Sequence, residues 1–168
     1  MKRLKASLVA LTVIVALLPV GIAQAKRPLA GTTAYEFVGH LGILDVDGRL
    51  LAWQGTTSGD IDGVIRWGAE PGDSFTGQAH HYSSRMEILD PTGIELLLAA
   101  EMSGSTTARH EKNSNWRENG VVTETSAEFA SWLGRHVHES GHFPWQVIDT
   151  PDGPVTLPEA GTSIFRFN

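Results

Sequence analysis

The chain predicts an all-β fold, an antiparallel β-barrel of roughly eight strands with one short helix, set behind a cleaved N-terminal signal peptide. Three observations carry this. Brief apolar or alternating runs recur between Gly, Pro, Asn and Asp turn signals along the whole chain. No β-α-β alternation interrupts them, which argues against a parallel sheet. Glycines crowd one region, in Gly55-Thr56-Thr57-Ser58-Gly59 and then at Gly63, Gly68, Gly72 and Gly77, as the bends and bulges of barrel corners require.

The first 25 residues read as an export signal. Lys2, Arg3 and Lys5 form a basic start, 6–20 is a mostly apolar run, and Ala23-Gln24-Ala25 is a small-residue cleavage site. The run is shorter than the roughly 20 residues that span a bilayer and holds Pro19 near its end. Cleavage is therefore expected near Lys26, and the working domain is expected to be secreted or periplasmic. Removing the signal takes three of the 13 basic residues and none of the 19 acidic ones, so the formal net charge moves from −6 to −9. An acidic domain of this kind is a poor partner for nucleic acid or anionic lipid. Nothing else in the chain is long and apolar enough for stable helical insertion into a membrane. The absence of cysteine excludes disulfides, thiolate metal sites and cysteine nucleophiles. The fold must be held by packing, for which the remaining 143 residues suffice.

A flexible, proline-bearing lead is expected over 26–33 and the barrel domain over 34–168. Strands 35–44 and 49–54 flank Asp45-Val46-Asp47-Gly48, whose Asp-Gly pair favours a tight turn. In 60–67, Ile61, Gly63, Ile65 and Trp67 share one face, the alternation of a half-buried strand. The clearest unit is the hairpin of 79–89 and 94–102 around Asp90-Pro91-Thr92-Gly93. Its second strand is apolar on both parities through 96–100, which predicts burial on both faces. A strand over 116–125 carries Asn119-Gly120 as a bulge or turn. Thr125 and Glu128 are spaced as a capping box, and Phe129, Trp132 and Leu133 share a helical face, so a two-turn helix is expected before Gly134. Strands 136–143 and 163–167 complete the set, separated by an irregular proline-rich stretch from Pro144 to Pro158.

Small barrels either fill with side chains or enclose one ligand, and the polar residues on inward faces decide what such a cavity does. On 79–89, His81, Ser83, Arg85 and Glu87 share one parity and His80, Tyr82, Ser84, Met86 and Ile88 the other. His80 and Tyr82 inside a cavity would orient a ligand or move a proton. Arg85 and Glu87, if inside, would need partners across the barrel such as Glu101 and Arg66; on the outside they would be ordinary cross-strand ion pairs. The candidate catalytic set is therefore His80, Tyr82, Arg85 and Glu87. The five tryptophans supply apolar walls, with Trp67 expected in the core and Trp145 at a cavity mouth; Trp53, Trp67, Met86 and Trp145 are the candidate ligand contacts. His136 and His138 are spaced to grip one ion, but the strand offers no four-ligand shell, so no metal is expected. No cofactor is expected either, since phosphate-cradling glycine loops, the Gly-x-Ser-x-Gly elbow and His-Glu-x-x-His are all missing. Asp45-Val46-Asp47-Gly48 and Asp60-Ile61-Asp62-Gly63 lack the closing glutamate of calcium loops and read as turns.

The glycine-punctuated segment Gly55 to Gly63 running into the strand that ends at Trp67, the paired long strands after it, and the closing Gly161-Thr162-Ser163-Ile164-Phe165-Arg166-Phe167 resemble the allene oxide cyclase-like and dirigent-like β-barrels. The resemblance spans most of 35–167. It implies an eight-stranded antiparallel barrel around a cavity that binds an apolar small molecule and in some members guides a cyclisation. Three functions are compatible with these readings: an exported barrel binding a small, mostly apolar ligand, a cofactor-free isomerase or cyclase, and a structural or interaction protein of the cell envelope with a filled barrel.

Overall fold

The computed structural model describes residues 28–45, 47–69, 80–107 and 114–168, with the side chains of His80 and Thr107 excepted. The expected signal, Gly72, Gly77 and the side chain of the candidate His80 lie outside the described residues. Eight strands close into an antiparallel barrel: β1 (Leu29–Phe37), β2 (Leu50–Gly59), β3 (Gly63–Ala69), β4 (His80–Leu89), β5 (Leu96–Thr107), β6 (Ser114–Thr125), β7 (His136–Phe143) and β10 (Gly161–Phe167). Each of β1 to β6 pairs with its successor, and β10 fills the gap between β7 and β1. Between β7 and β10 the chain leaves the barrel as a separate hairpin, β8 (Trp145–Thr150) with β9 (Gly153–Pro158). Among the described residues, no helix is long and apolar enough to cross a membrane.

The two-residue period of the strands decides which side chains enter the barrel. On β3, Ile65 and Trp67 are buried as their parity with Ile61 and Gly63 predicts. On β4, Tyr82, Ser84, Met86 and Ile88 point inward, and His81, Arg85 and Glu87 outward. The half of the barrel that holds Leu29 and Phe167 is packed solid. Ile61, Ile88, Leu98, Val122, Val137, Phe165 and Phe167 fill it, and burying each of these contributes about 1.5–3 kcal/mol. Gly31 makes room for one of them, since a Cβ there would lie 2.3 Å from the ring of Phe165. The other half, where the turn at 45–48 and the β8–β9 hairpin emerge, holds the aromatic and polar side chains.

Several elements differ from their sequence reading. The expected lead is already strand from Leu29, because β1 has partners on both edges, β10 and β2. The first strand also stops at Phe37, followed by a 3₁₀ turn at Gly39–Leu41. The expected helix before Gly134 is only a 3₁₀ turn, Ala130–Trp132, with no side-chain cap. Two turns of helix are too few to hold themselves, and burial of Trp132 against Phe167, with ring centroids 6.4 Å apart, decides the conformation instead. The bulge on β6 falls at Thr123: Glu124 faces Ala99 while Val122 faces Ala100. The proline-rich stretch is ordered as β8–β9, and its prolines are tolerated because a two-stranded sheet consists only of edges.

The 79–89/94–102 hairpin stands as expected. Its turn is fastened by Asp90, whose carboxylate accepts hydrogen bonds from the Ile94 and Glu95 amides, both at 2.9 Å, and from the Thr92 hydroxyl at 2.6 Å. Those bonds lower the Asp90 pKa to about 2. Asp45 and Asp62 likewise act as turn acceptors, from the Asp47 and Arg49 amides and from the Gly59 amide. Leu98, Ala99 and Ala100 are all buried, so β5 is covered on both faces there.

Candidate functional site

One cavity lies inside the open half of the barrel. Its walls are Tyr35, Trp53, Trp67, Trp116 and Phe143, with Tyr82, Ser84, Thr106 and Glu118 as the polar groups. It is partly open to solvent and leaves about 30 Å³ for the centre of a water-sized body. One water needs roughly 10–15 Å³ on that measure, so the space suits a small chemical group rather than a whole metabolite. The rings meet edge to face: Tyr35 lies 5.0 Å from Trp53, 5.3 Å from Trp67 and 6.0 Å from Trp116 between centroids. Such contacts hold each ring at a fixed angle to its neighbours.

Two carboxylates define the chemistry. Glu118 on β6 and Glu139 on β7 are register partners, both inward and each only 3% exposed. Directly opposed residues hold their Cβ atoms about 4.5–5.5 Å apart, so the two carboxyl groups share one small volume. The Ser163 hydroxyl donates to Glu139 Oε1 at 2.6 Å, and the Trp67 indole reaches across the lumen to donate to Oε2 at 3.2 Å. Thr33 in turn bonds to the Ser163 hydroxyl. Glu118 receives the Ser84 hydroxyl at 3.0 Å on Oε1, and Tyr82 also bonds to its carboxyl. Its Oε2 is buried with no hydrogen-bond partner.

Position 104 makes this meeting possible. On β5, Gly104 faces Tyr82 on one side and Glu118 on the other. A Cβ there would come within 2.6 Å of Glu118 Cγ and 2.8 Å of Tyr82 Cζ. A side chain would push the phenol and the carboxyl apart.

Burial raises the pKa of both glutamates, and for Glu139 the neighbouring Glu118 charge adds to the effect. For Glu118, hydrogen bonds from Tyr82 and Ser84 act the other way but leave the pKa at about 7. The two groups influence each other's titration, and burial holds both toward the protonated form relative to a free glutamate. Desolvation also raises the pKa of the Tyr82 and Tyr35 hydroxyls, which stay protonated and act as donors or acceptors. Tyr35 accepts the Trp116 indole N–H at 2.7 Å and donates to the His142 carbonyl at 3.3 Å.

The structure sorts the residues expected at the site. Tyr82, Trp53 and Trp67 line the cavity. Met86 does not; it is wholly buried in the core, opposite Trp67. Trp145 sits half-buried at the open end, 5.5 Å from the Phe143 ring, with its indole donating to Ser114 at 2.7 Å. Arg85 and Glu87 are on the outer face and cannot act on anything inside. There Arg85 forms ion pairs with Glu124 at 2.9 Å, Glu87 at 3.0 Å, Asp47 at 3.2 Å and Glu101 at 3.3 Å. The cross-strand ion-pair reading therefore holds for Arg85, through Glu101 and Glu124, while Glu87 pairs with Arg85 along the same strand. His136 and His138 are exposed on the outside of β7, and His138 bonds to Asn119.

Neither protein-family models, nor curated proteins, nor solved structures yield a match to this chain. The site must be read from its own geometry.

Sequence reasoning missed Glu118 and Glu139, although a signal was present. Both sit on the apolar parity of their strands, among Trp116, Gly120 and Val122 in one case and Val137, Gly141 and Phe143 in the other. A glutamate in that register must point into the barrel.

Proposed function

We propose that the chain is exported and works as a secreted or periplasmic barrel that binds a small, mostly apolar molecule at its open end. The observation that carries this reading is the ring-walled cavity with a few convergent polar groups at its inner end. The packed half of the barrel supports it by fixing the cavity walls before the ligand arrives. Charged groups outside, among them Glu36, Arg66, Glu101, Arg117 and Arg166, differ from the apolar band of a membrane barrel and favour a protein outside the bilayer.

The test is a thermal-shift and tryptophan-fluorescence screen against small aromatic and aliphatic compounds, run in parallel on Ala69→Leu, which narrows the cavity. At least one compound raises the melting temperature of the native protein and fails to do so for the variant. No response from any compound would sink the reading.

A second reading has its own support. The opposed carboxyls beside the Tyr82 hydroxyl favour proton transfer, as a cofactor-free isomerase or cyclase of the allene oxide cyclase-like kind would need. Glu118, Glu139 and Tyr82 are then the working groups, in place of the outward Arg85 and Glu87. A structural role in the cell envelope draws support only from the solid half of the barrel.

A further inference from the structure

The cavity combines features that select one class of ligand. Glu118 lines it and its register partner Glu139 is buried beside Glu118, and among the described residues no Lys, Arg or His side chain is buried next to them. The one buried cation, Arg85, is on the opposite face of β4 and is engaged by acidic partners there. Glu118 Oε2 is unpartnered, although Glu118 lines the cavity and is 97% removed from solvent by its 3% exposure. The walls around it are the electron-rich rings of Tyr35, Trp53, Trp67 and Trp116.

Resting on the binding reading above, we infer that the ligand carries an ammonium group, a primary or methylated amine on an apolar body, held between Glu118 and the ring faces. Aromatic faces attract organic cations through their quadrupole, most strongly where water is excluded. The open oxygen of Glu118 accepts an N–H donor and completes a charge-assisted bond. A metal ion is the poorer fit: hard cations take about six to eight oxygen ligands, and among the described residues no three His, Asp or Glu side chains gather to hold one. The space left in the cavity admits a head group of this size, with the body directed to the open end.

Charge balance gives the inference a signature. The titrating groups that line this volume, among the described residues, are Glu118, Tyr82 and Tyr35, and Glu139 is the register partner of Glu118. The tyrosines stay neutral, so the proton displaced when an ammonium ion arrives comes from the glutamates. No covalent bond changes. The proton passes to solvent, and the carboxylate it leaves pairs with the incoming cation.

The experiment titrates the purified protein with 2-phenylethylamine and with its neutral counterpart 2-phenylethanol, followed by tryptophan fluorescence and by calorimetry in two buffers of different ionisation enthalpy. The amine binds tighter than the alcohol by roughly tenfold or more, with a proton released, and Glu118→Gln removes the difference. Equal affinity for the two probes, an undiminished preference in Glu118→Gln, or binding of apolar panel compounds without the amine overturns the ammonium assignment and leaves the cavity reading standing. Silence from both probes and from the whole panel removes the cavity reading, and this one with it.

Discussion

Acidic groups cluster twice in this barrel, on opposite faces of the same wall, and the two clusters are built on opposite plans. Outside, one arginine, Arg85, is ringed by Asp47, Glu87, Glu101 and Glu124, and the acid partners other than Glu87 keep much of their surface in water. Inside, Glu118 and Glu139 face each other with hydroxyl and indole donors but no positive charge. The outer cluster is complete and ties the 45–48 turn to the sheet. The inner one carries a surplus of negative charge that must be met by a proton or by something brought from outside. Alternation along β4 separates the two, with Ser84 serving the inner cluster and Arg85 the outer.

The largest expected effect comes from removing the centre of the outer cluster. Arg85→Met leaves its carboxylates facing one another and lowers stability by about 2–3 kcal/mol, less than a fully buried pair would lose because most of the acids are partly solvated. Urea denaturation measures it, and a loss below the error of the method would show the cluster to be ornamental.

The inner cluster should respond in the opposite sense. The folded pKa of Glu118 lies above its usual 4.5, at about 7, so the folded state holds its proton more tightly than the unfolded chain. Stability is therefore greatest below pH 4.5 on this account and declines as the pH rises through that window to about 7. Glu118→Gln, which keeps an acceptor for Ser84, reduces the decline to the part that the buried Glu139 contributes and gains about 1–2 kcal/mol at alkaline pH. Melting curves of both proteins across the window should converge in acid and separate in base; parallel curves would mean that the pair is not buried as described.

The smallest effect is at the edge of the outer cluster. Arg49 bonds to Glu101 at 3.0 Å in a more exposed position, so Arg49→Gln should cost about 0.5 kcal/mol or less. Added salt should shrink that cost further, and a cost matching that of Arg85→Met would erase the distinction between centre and rim.

Much of the fold was legible because barrel strands obey a local rule. The parity of Ile61, Ile65 and Trp67, and of Tyr82 to Ile88, is set within each strand and needs no knowledge of its neighbours. The Asp90 turn is equally local. The site was less legible because it depends on register between strands: that residue 118 meets 139, and that Gly104 clears the path from Tyr82 to Glu118, follows only once β5, β6 and β7 are aligned. A glutamate read alone also passes for surface charge, and attention went instead to Arg85 and Glu87, which lie on the outer face of β4 and are shielded there by each other and by Glu101 and Glu124. The expected helix failed for a related reason. Its capping pattern was local, but burial of Trp132 against Phe167 was not.

The seam between β1 and β10 also governs how the barrel comes into being. Thr33 and Ser163, joined there by their hydroxyls, are separated by 130 positions along the chain. The closing stave is thus held at one edge by the next strand and at the other by the last one. The cylinder cannot close until β10 has paired with both β1 and β7. Contacts this distant slow folding in general. The same closure seats the Ser163 hydroxyl against Glu139 Oε1, so the seam that shuts the barrel also completes the donor set of its inner carboxyl pair.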